Sequence, residues 1–362
     1  MMHAPPSPLD IARKLLVQPT APFHEGRVMG VITALLGEWG IPHRFDRHGN
    51  LIARYAKGRG PRWALVAHTD HPGIEITSRA GNTVKGTFLG GTRPEGLPGA
   101  RVRLHDAGAR AATGTVVHAT RWRGEKRVTI RLDDDAPGIG PGAFGGYDLP
   151  APSVTTERIV AAAMDDLGGC ATTLAVLAHL KARNLPGHVW GVFTRAEEVG
   201  FAGAQLLAED GTLPEETLVV SIECSMELPG ARQGQGPVIR VGDRASTFDG
   251  TLEHHLHQSA QRLQKADPAF TFQRQLMTGG TCEGTVFAAR GYRTIGLAYP
   301  LLNYHNMAEP AGIAPEEIAS ADFLGGVRLL LAAIADGRRV TGSRDAYYQR
   351  LQQATRRYRE RL

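Results

Sequence analysis

Long apolar runs and abundant cysteine are both missing from this chain of 362 residues. No stretch approaches the roughly 18 consecutive apolar residues that a membrane span needs, so we expect no membrane partner. The N-terminal segment holds three prolines and no apolar core, so we expect no secretory signal. The three cysteines, Cys170, Cys224 and Cys282, lie far apart. They predict reduced thiols in a cytoplasmic protein, not a disulfide framework or a cysteine-bound zinc ion.

An excess of positive charge is also missing from the body of the chain. The formal net charge is +5, but residues 343–362 contribute +4 of it, from six arginines against Asp345 and Glu360. Apolar residues of this segment recur at helical spacing, at Tyr347, Leu351, Ala354, Tyr358 and Leu362. We therefore predict that residues 341–362 form a basic amphipathic helix that packs on the body, and we expect no nucleic-acid partner.

Hydrophobic patterns divide the remaining residues into two kinds of segment. Within 74–155, short alternating runs separated by Gly, Pro and Asp clusters predict a small all-β, barrel-like insertion domain. On both sides of it, helical and strand patterns alternate, and 315–335 is predicted to form one long closing helix. Such alternation predicts a three-layer α/β/α fold around a central, mostly parallel mixed sheet. We assign residues 1–73 and 156–340 to this discontinuous domain.

Histidine and carboxylate side chains follow predicted strands that are themselves almost free of charge. These residues are His68 and Asp70, Asp165 and Asp166, Glu197 and Glu198, Glu223, and His305. Because ligands gather at the carboxyl ends of strands in open α/β sheets, we expect them to meet at one sheet edge. Without cations the carboxylates would repel one another in a partly buried cleft. The set therefore predicts two divalent metal ions, with Zn²⁺ preferred and Co²⁺ or Mn²⁺ as alternatives.

Neighbouring positions within the set suggest different roles. Adjacent side chains diverge, so one of Glu197 and Glu198 can bind a metal ion while the other acts as general base. Asp70, two residues beyond His68, suits a carboxylate that orients a metal-bound imidazole. Asp166 is interpreted as a helix-start residue rather than a ligand. For His71, contact with substrate and a plain surface position both stay open.

Five segments, DRHGNLIAR, VAHTDHPG, AAMDDLGGC, FTRAEEVGFAGA and NYHN, resemble the signature segments of the tetrahedral (deblocking or glutamyl) aminopeptidases. That family comprises co-catalytic dizinc peptidases, and some relatives were labelled endoglucanases. The resemblance covers roughly residues 10–335 in order and spacing, including the β-rich insertion. Three positions depart from the family pattern: Glu223 replaces a usual aspartate, and His71 and Cys282 stand where acidic residues are common.

The resemblance implies a role for each residue of the set. Asp165 would bridge two metal ions, with His68 and Glu223 completing one site and Glu198 and His305 the other. Glu197 would be the general base, and Asp70 would orient His68. The resemblance also implies a homo-oligomer, up to a dodecamer.

The sequence therefore predicts a metal-dependent aminopeptidase that removes N-terminal residues from peptides by means of a hydroxide held between two metal ions. Spare carboxylates at Asp70, Asp166 and Glu283 suit a free α-ammonium group, whereas Arg195 is the only arginine within two residues of a proposed ligand or base. This balance favours an aminopeptidase over a dinuclear metal carboxypeptidase or a deacylase of small acylated amino acids. A non-catalytic metal-binding assembly protein is a further alternative, but it would have no chemical need for Glu197.

Overall fold

The computed structural model describes residues 4–92, 94–108, 110–308, 312–337, 340, 343–356 and 358–361. Its α-helices are α1 (Pro8–Leu16), α2 (Gly26–Glu38), α3 (Met164–Ala182), α4 (Ala202–Glu209), α5 (Gly250–Ala266), α6 (Glu283–Ala289), α7 (Ser320–Ala335) and α8 (Ser343–Arg356). Its strands are β1 (His43–Phe45), β2 (Leu51–Lys57), β3 (Arg62–His68), β4 (Gly73–Ala80), β5 (Thr83–Leu89), β6 (Arg101–His105), β7 (Ala111–Trp122), β8 (Glu125–Leu132), β9 (Phe144–Tyr147), β10 (Ser153–Val154), β11 (Arg158–Ala161), β12 (Gly187–Thr194), β13 (Leu218–Met226), β14 (Val238–Asp243), β15 (Gln273–Met277), β16 (Arg293–Leu301), β17 (Met307–Ala308), β18 (Gly312–Ile313) and β19 (Glu316–Ala319).

The central sheet has the strand order β1-β2-β12-β3-β13-β16-β14-β15. Its four middle strands, β12, β3, β13 and β16, run parallel to one another, while β2 and β14 flank them antiparallel. These middle strands are continuous apolar runs, as expected of a sheet that is covered on both faces. Along β3, Leu65 and Ala67 enter one core, and Ala64 and Val66 enter the other.

Helices cover both faces of this sheet. The larger core includes side chains of α1, α2, α3, α5 and α7, and the smaller core on the opposite face includes those of α4 and α6. The predicted three-layer α/β/α fold with a mixed central sheet is therefore confirmed. Among the residues that the structure describes, none of the helices combines the length and the apolar character that a membrane span requires.

Strands β4 to β9 close into a separate antiparallel barrel with the order β4-β5-β8-β7-β6-β9. Alternating residues of these strands point inward and form their own core, which includes Ile76, Phe88, Val102 and Ile130. This confirms the predicted barrel-like insertion. The division into domains at 1–73, 74–155, 156–340 and 341–362 stays a prediction.

The closing helix is shorter than the sequence pattern predicts. Residues Glu316–Ala319 form β19, which pairs with β11 in a small three-stranded sheet of order β10-β11-β19, and α7 begins only at Ser320. The reason is tertiary: the carboxylate of buried Glu316 accepts hydrogen bonds from two distant backbone amides, those of Asp165 and His305. At the C-terminus, α8 lies against α5, with Leu351 still 44% exposed.

Candidate metal centre

Four neighbouring parallel strands bring site residues to one edge of the central sheet. β3 ends at His68, β12 is followed by Glu197 and Glu198, and β16 is followed by His305. Glu223 lies within β13, three residues before its end. These strands are adjacent and parallel, so their carboxyl ends meet at one edge, as the sequence predicts.

Asp165 reaches the same place by a different route, and here the expectation of a single sheet edge is wrong. It follows β11, which belongs to the small three-stranded sheet, and lies at the irregular start of α3. Its peptide bond to Asp166 is cis. The amide of Asp165 donates a hydrogen bond to Glu316 Oε2 at 2.9 Å. The small sheet therefore places Asp165 over the edge of the large one.

The predicted ligands converge around two imidazole groups. His68 Nε2 lies 3.4 Å from Asp165 Oδ1 and 3.8 Å from Glu223 Oε2. His305 Nε2 lies 3.2 Å from Glu198 Oε1 and 3.8 Å from Asp165 Oδ2. Asp165 thus presents one oxygen to each histidine.

The hydrogen bonds of both histidines leave the same ring nitrogen free. His68 Nδ1 lies 3.1 Å from the backbone oxygen of Asp70, and His305 Nδ1 lies 3.2 Å from that of Gly91. A carbonyl oxygen only accepts, so each Nδ1 must donate its proton, and in the neutral ring each Nε2 then keeps a lone pair. This tautomer is the one that binds a metal ion through Nε2.

Several buried polar atoms of the site find no hydrogen-bond partner among the described residues, including Asp165 Oδ1, Glu223 Oε1 and His305 Nε2. Burying such atoms without partners is costly. Burial raises the pKa of Glu223 to about 8, and burial together with the charge of Glu198 raises the pKa of Glu197 well above its usual value. Because burial of these nitrogen and oxygen donors is unfavourable without partners, the set fits divalent cations that would bind them.

Asp70 is fully buried beneath the site. Its two carboxylate oxygens accept hydrogen bonds from the backbone amides of Glu197 and Glu198, at 3.0 and 3.1 Å. Its Oδ1 also lies 3.6 Å from His68 Nδ1. The structure therefore places Asp70 beside His68, and its carboxylate ties the loop after β12 to the end of β3. The role of this carboxylate in orienting His68 stays a prediction.

The structure bears on the interpretations of His71 and Asp166. His71 is buried, and its ring nitrogens lie 2.7 Å from the backbone oxygen of Asp165 and 3.1 Å from Asn306 Oδ1. A plain surface position is therefore wrong. Asp166 Oδ1 accepts a hydrogen bond from the amide of Gly169 at 3.1 Å, as a helix-start residue does. Its other oxygen has no described hydrogen-bond partner, and Asp166 offers an atom within 4.8 Å of one from both His68 and Glu223.

A small cavity opens onto the metal centre, and Arg240 of β14 lines it together with Glu197 and Glu223. The Arg240 side chain is buried, donates to Ser225 Oγ at 2.9 Å, and leaves Nε without a hydrogen-bond partner in the described part of the chain. By contrast, Arg195 forms an ion pair with Glu25 at 2.7 Å. Sequence reasoning missed Arg240 because it is far from every motif.

The carboxylates that the sequence analysis assigned to binding an α-ammonium group do not line the cavity. Asp70, Asp166 and Glu283 are fully buried, and none of them lines the cavity. Cys282 is also buried, and burial raises the pKa of its thiol, which disfavours a reactive thiolate.

Sequence reasoning missed two other residues: Glu316, which accepts hydrogen bonds from the backbone of the proposed ligands Asp165 and His305, and Gly91, which brings the barrel to His305. Neither carries a local sequence signal.

A cluster of histidine and carboxylate donors at the edge of the central sheet of a three-layer α/β/α fold, with a barrel beside it, is typical of metal-dependent hydrolases. Residues 49–315 match the sequence profile of the M42 glutamyl aminopeptidase family. The chain belongs to this family of metal-dependent peptidases, which confirms the resemblance predicted from the five segments.

Solved structures share the fold at low sequence identity. A TET aminopeptidase from a marine sediment archaeon of the Thaumarchaeota has a TM-score of 0.78 at 18% identity, covering 93% of this chain and 99% of that one. The TET1 peptidase of Pyrococcus horikoshii, which can assemble into a tetrahedron or a large octahedral shell, has a TM-score of 0.75 at 22% identity, covering 91% and 99%. An endoglucanase from Thermotoga maritima has a TM-score of 0.67 at 19% identity, covering 92% and 99%.

Proposed function

We propose that this chain is an aminopeptidase that removes N-terminal residues from peptides with the help of two divalent cations. The observation that carries the proposal is the convergence of five donor residues and Glu197 at one buried site in a member of the M42 family. Residues 1–73 and 156–340 would form the catalytic domain, 74–155 the insertion domain and 341–362 the basic helix.

The donor set divides into two sites that share Asp165. His68 and Glu223 would complete one, and Glu198 and His305 the other; Zn²⁺ suits both, with Co²⁺ or Mn²⁺ as alternatives. When bound, the two cations would act as Lewis acids that lower the pKa of water and polarise the carbonyl oxygen of the substrate.

In this proposal Glu197 acts as the general base. Its carboxylate lines the cavity and lies 3.9 Å from His68 Nε2, so it can take the proton of the attacking water and deliver it to the departing amine. Asp70 holds the amides of Glu197 and Glu198 and thereby keeps the base beside the donor residues.

The position of Arg240 bears on the substrate. A buried guanidinium group in the cavity suits a carboxylate. In an aminopeptidase this carboxylate belongs to the side chain of an acidic N-terminal residue, in line with the glutamyl description of the family. Arg240 also favours the second candidate, a carboxypeptidase or a deacylase of small acylated amino acids, in which the same group would bind the terminal carboxylate.

A peptide series with metal-loaded protein separates the two candidates. The peptides carry N-terminal glutamate and are tested free, N-acetylated and C-amidated. For an aminopeptidase, acetylation abolishes cleavage and amidation changes the rate little; the opposite pattern establishes the second candidate. In Arg240→Met, kcat/KM for N-terminal glutamate relative to leucine should fall at least about 10-fold, because a hydrogen bond to a charged group is lost.

We also propose that the chain forms homo-oligomers, up to a dodecamer. The P. horikoshii relative assembles into closed shells, and light scattering of the purified protein tests the proposal. A mass near that of the 38.9 kDa chain at micromolar concentration would contradict it. We place the protein in the cytoplasm, where its three free, buried thiols would stay reduced.

A further inference from the structure

A second, apolar groove opens beside the catalytic cavity, between the end of the central sheet and the barrel. Its volume is about 530 Å³, against about 40 Å³ for the catalytic cavity. Leu302, Ile313 and Met226 line one side, and Tyr147 of the barrel contributes to the other. Leu302 and Ile313 are each 38% exposed and Met226 is 41% exposed. Large apolar side chains that cluster at an exposed groove are typical of a binding site.

The groove adjoins the catalytic cavity. Tyr304 and Met226 line both of them. The ring of Tyr304 stacks on the imidazole of His305, with ring centroids 3.7 Å apart. A chain that runs from the cavity into the groove therefore passes directly beside a proposed metal ligand.

We propose that this groove binds the peptide residues downstream of the scissile bond and selects apolar side chains at those positions. The proposal rests on the proposed aminopeptidase function. The small cavity, with Arg240 in its wall, would hold the N-terminal residue. The rest of an extended peptide, at roughly 3.3 Å per residue, must leave past Tyr304, and the groove begins there. Its apolar walls gain most from apolar substrate side chains.

The two shared wall residues indicate that the groove binds substrate. A second copy of the chain could also cover an apolar groove, but a subunit interface does not need to share two wall residues with the catalytic cavity. A substrate peptide must contact both spaces in one binding event. Substitutions in the groove distinguish the two occupants. In a substrate site they change the selectivity between substrates, whereas in a subunit interface they change the state of association.

The test compares Leu302→Ser and Ile313→Ser with the unaltered, metal-loaded full chain. The matched control is Leu185→Ser, which is equally exposed, at 38%, in the loop between α3 and β12. Substrates share one N-terminal residue and continue as Leu-Leu, as Ala-Ala or as a simple amide without downstream residues. Values of kcat/KM are measured together with the mass by light scattering.

In each groove variant, the ratio of kcat/KM for the Leu-Leu peptide to that for the amide should fall at least about 10-fold, the usual scale for lost apolar contacts in a pocket. The control should keep the ratio of the unaltered protein. An equal loss on all substrates, or a change confined to the mass, overturns the proposal. Failure of the unaltered protein to cleave any of these substrates would instead refute the aminopeptidase function.

Discussion

Replacement of Gly91 by alanine tests whether the barrel supports the metal centre. Gly91 follows β5, and its carbonyl oxygen accepts the hydrogen bond of His305 Nδ1 at 3.2 Å. A Cβ atom at this position would lie 2.3 Å from Nδ1 and 2.6 Å from Cε1 of the same ring. Ordinary contact begins at 3.4 Å, so the ring or the loop must move by about 1 Å, which a close-packed site resists.

The expected loss follows from the role of the Nδ1 hydrogen bond. This bond fixes the ring orientation and leaves Nε2 free, and removal of such outer partners typically costs about 10- to 100-fold in metal affinity. That range corresponds to about 1.4–2.7 kcal/mol. We expect Gly91→Ala to weaken the site of His305 and Glu198 by this amount and to affect the site of His68 and Glu223 less.

Metal affinity is measured by titration against a competing chelator, and the visible spectrum of the Co²⁺-loaded protein reports the geometry. Gly96→Ala is the control, because a Cβ there meets nothing within 4 Å. In a His305→Ala background the Gly91 substitution should have no further effect on affinity. Unchanged affinity in Gly91→Ala, or equal weakening in Gly96→Ala, would refute the reasoning.

Three further predictions concern the cations, the base and the barrel. The protein should bind about two Zn²⁺, Co²⁺ or Mn²⁺ ions per chain and lose hydrolysis on chelation; full activity with one ion or none would contradict this. Glu197→Gln should keep both ions but lose at least about 10²-fold in kcat, whereas Glu198→Gln should weaken one site; near-normal turnover in Glu197→Gln would disprove the assignment. Burial, aided by Arg27 and Arg103, lowers the pKa of His105 to about 4, so between pH 6.5 and 4 the unfolded chain binds a proton that the folded chain does not. The free energy of unfolding should therefore fall as the pH is lowered from 6.5 to 4, by about 1–2 kcal/mol after allowance for the partly exposed ring. His105→Gln should flatten this slope, and an identical slope in both proteins would exclude His105 as its cause.

The sequence alone determined the fold class and most of the donor set. The apolar runs that become β3, β12 and β16 each end just before His or Glu residues, and the carboxyl ends of neighbouring parallel strands share an edge. The alternating runs between Gly73 and Tyr147 likewise predict a barrel, because side chains of a strand alternate between its two faces. These inferences need only local periodicity and the general rules of sheet topology.

Only the tertiary structure decided how the site is supported and what it can recognise. Asp165 arrives from a second sheet, held by Glu316 some 151 residues away in the chain, and Gly91 meets His305 across a separation of 214 residues. Arg240 enters the cavity from β14, which pairs antiparallel with β16. No local pattern encodes such contacts, because they depend on how finished elements pack against one another rather than on the spacing of residues within any one of them.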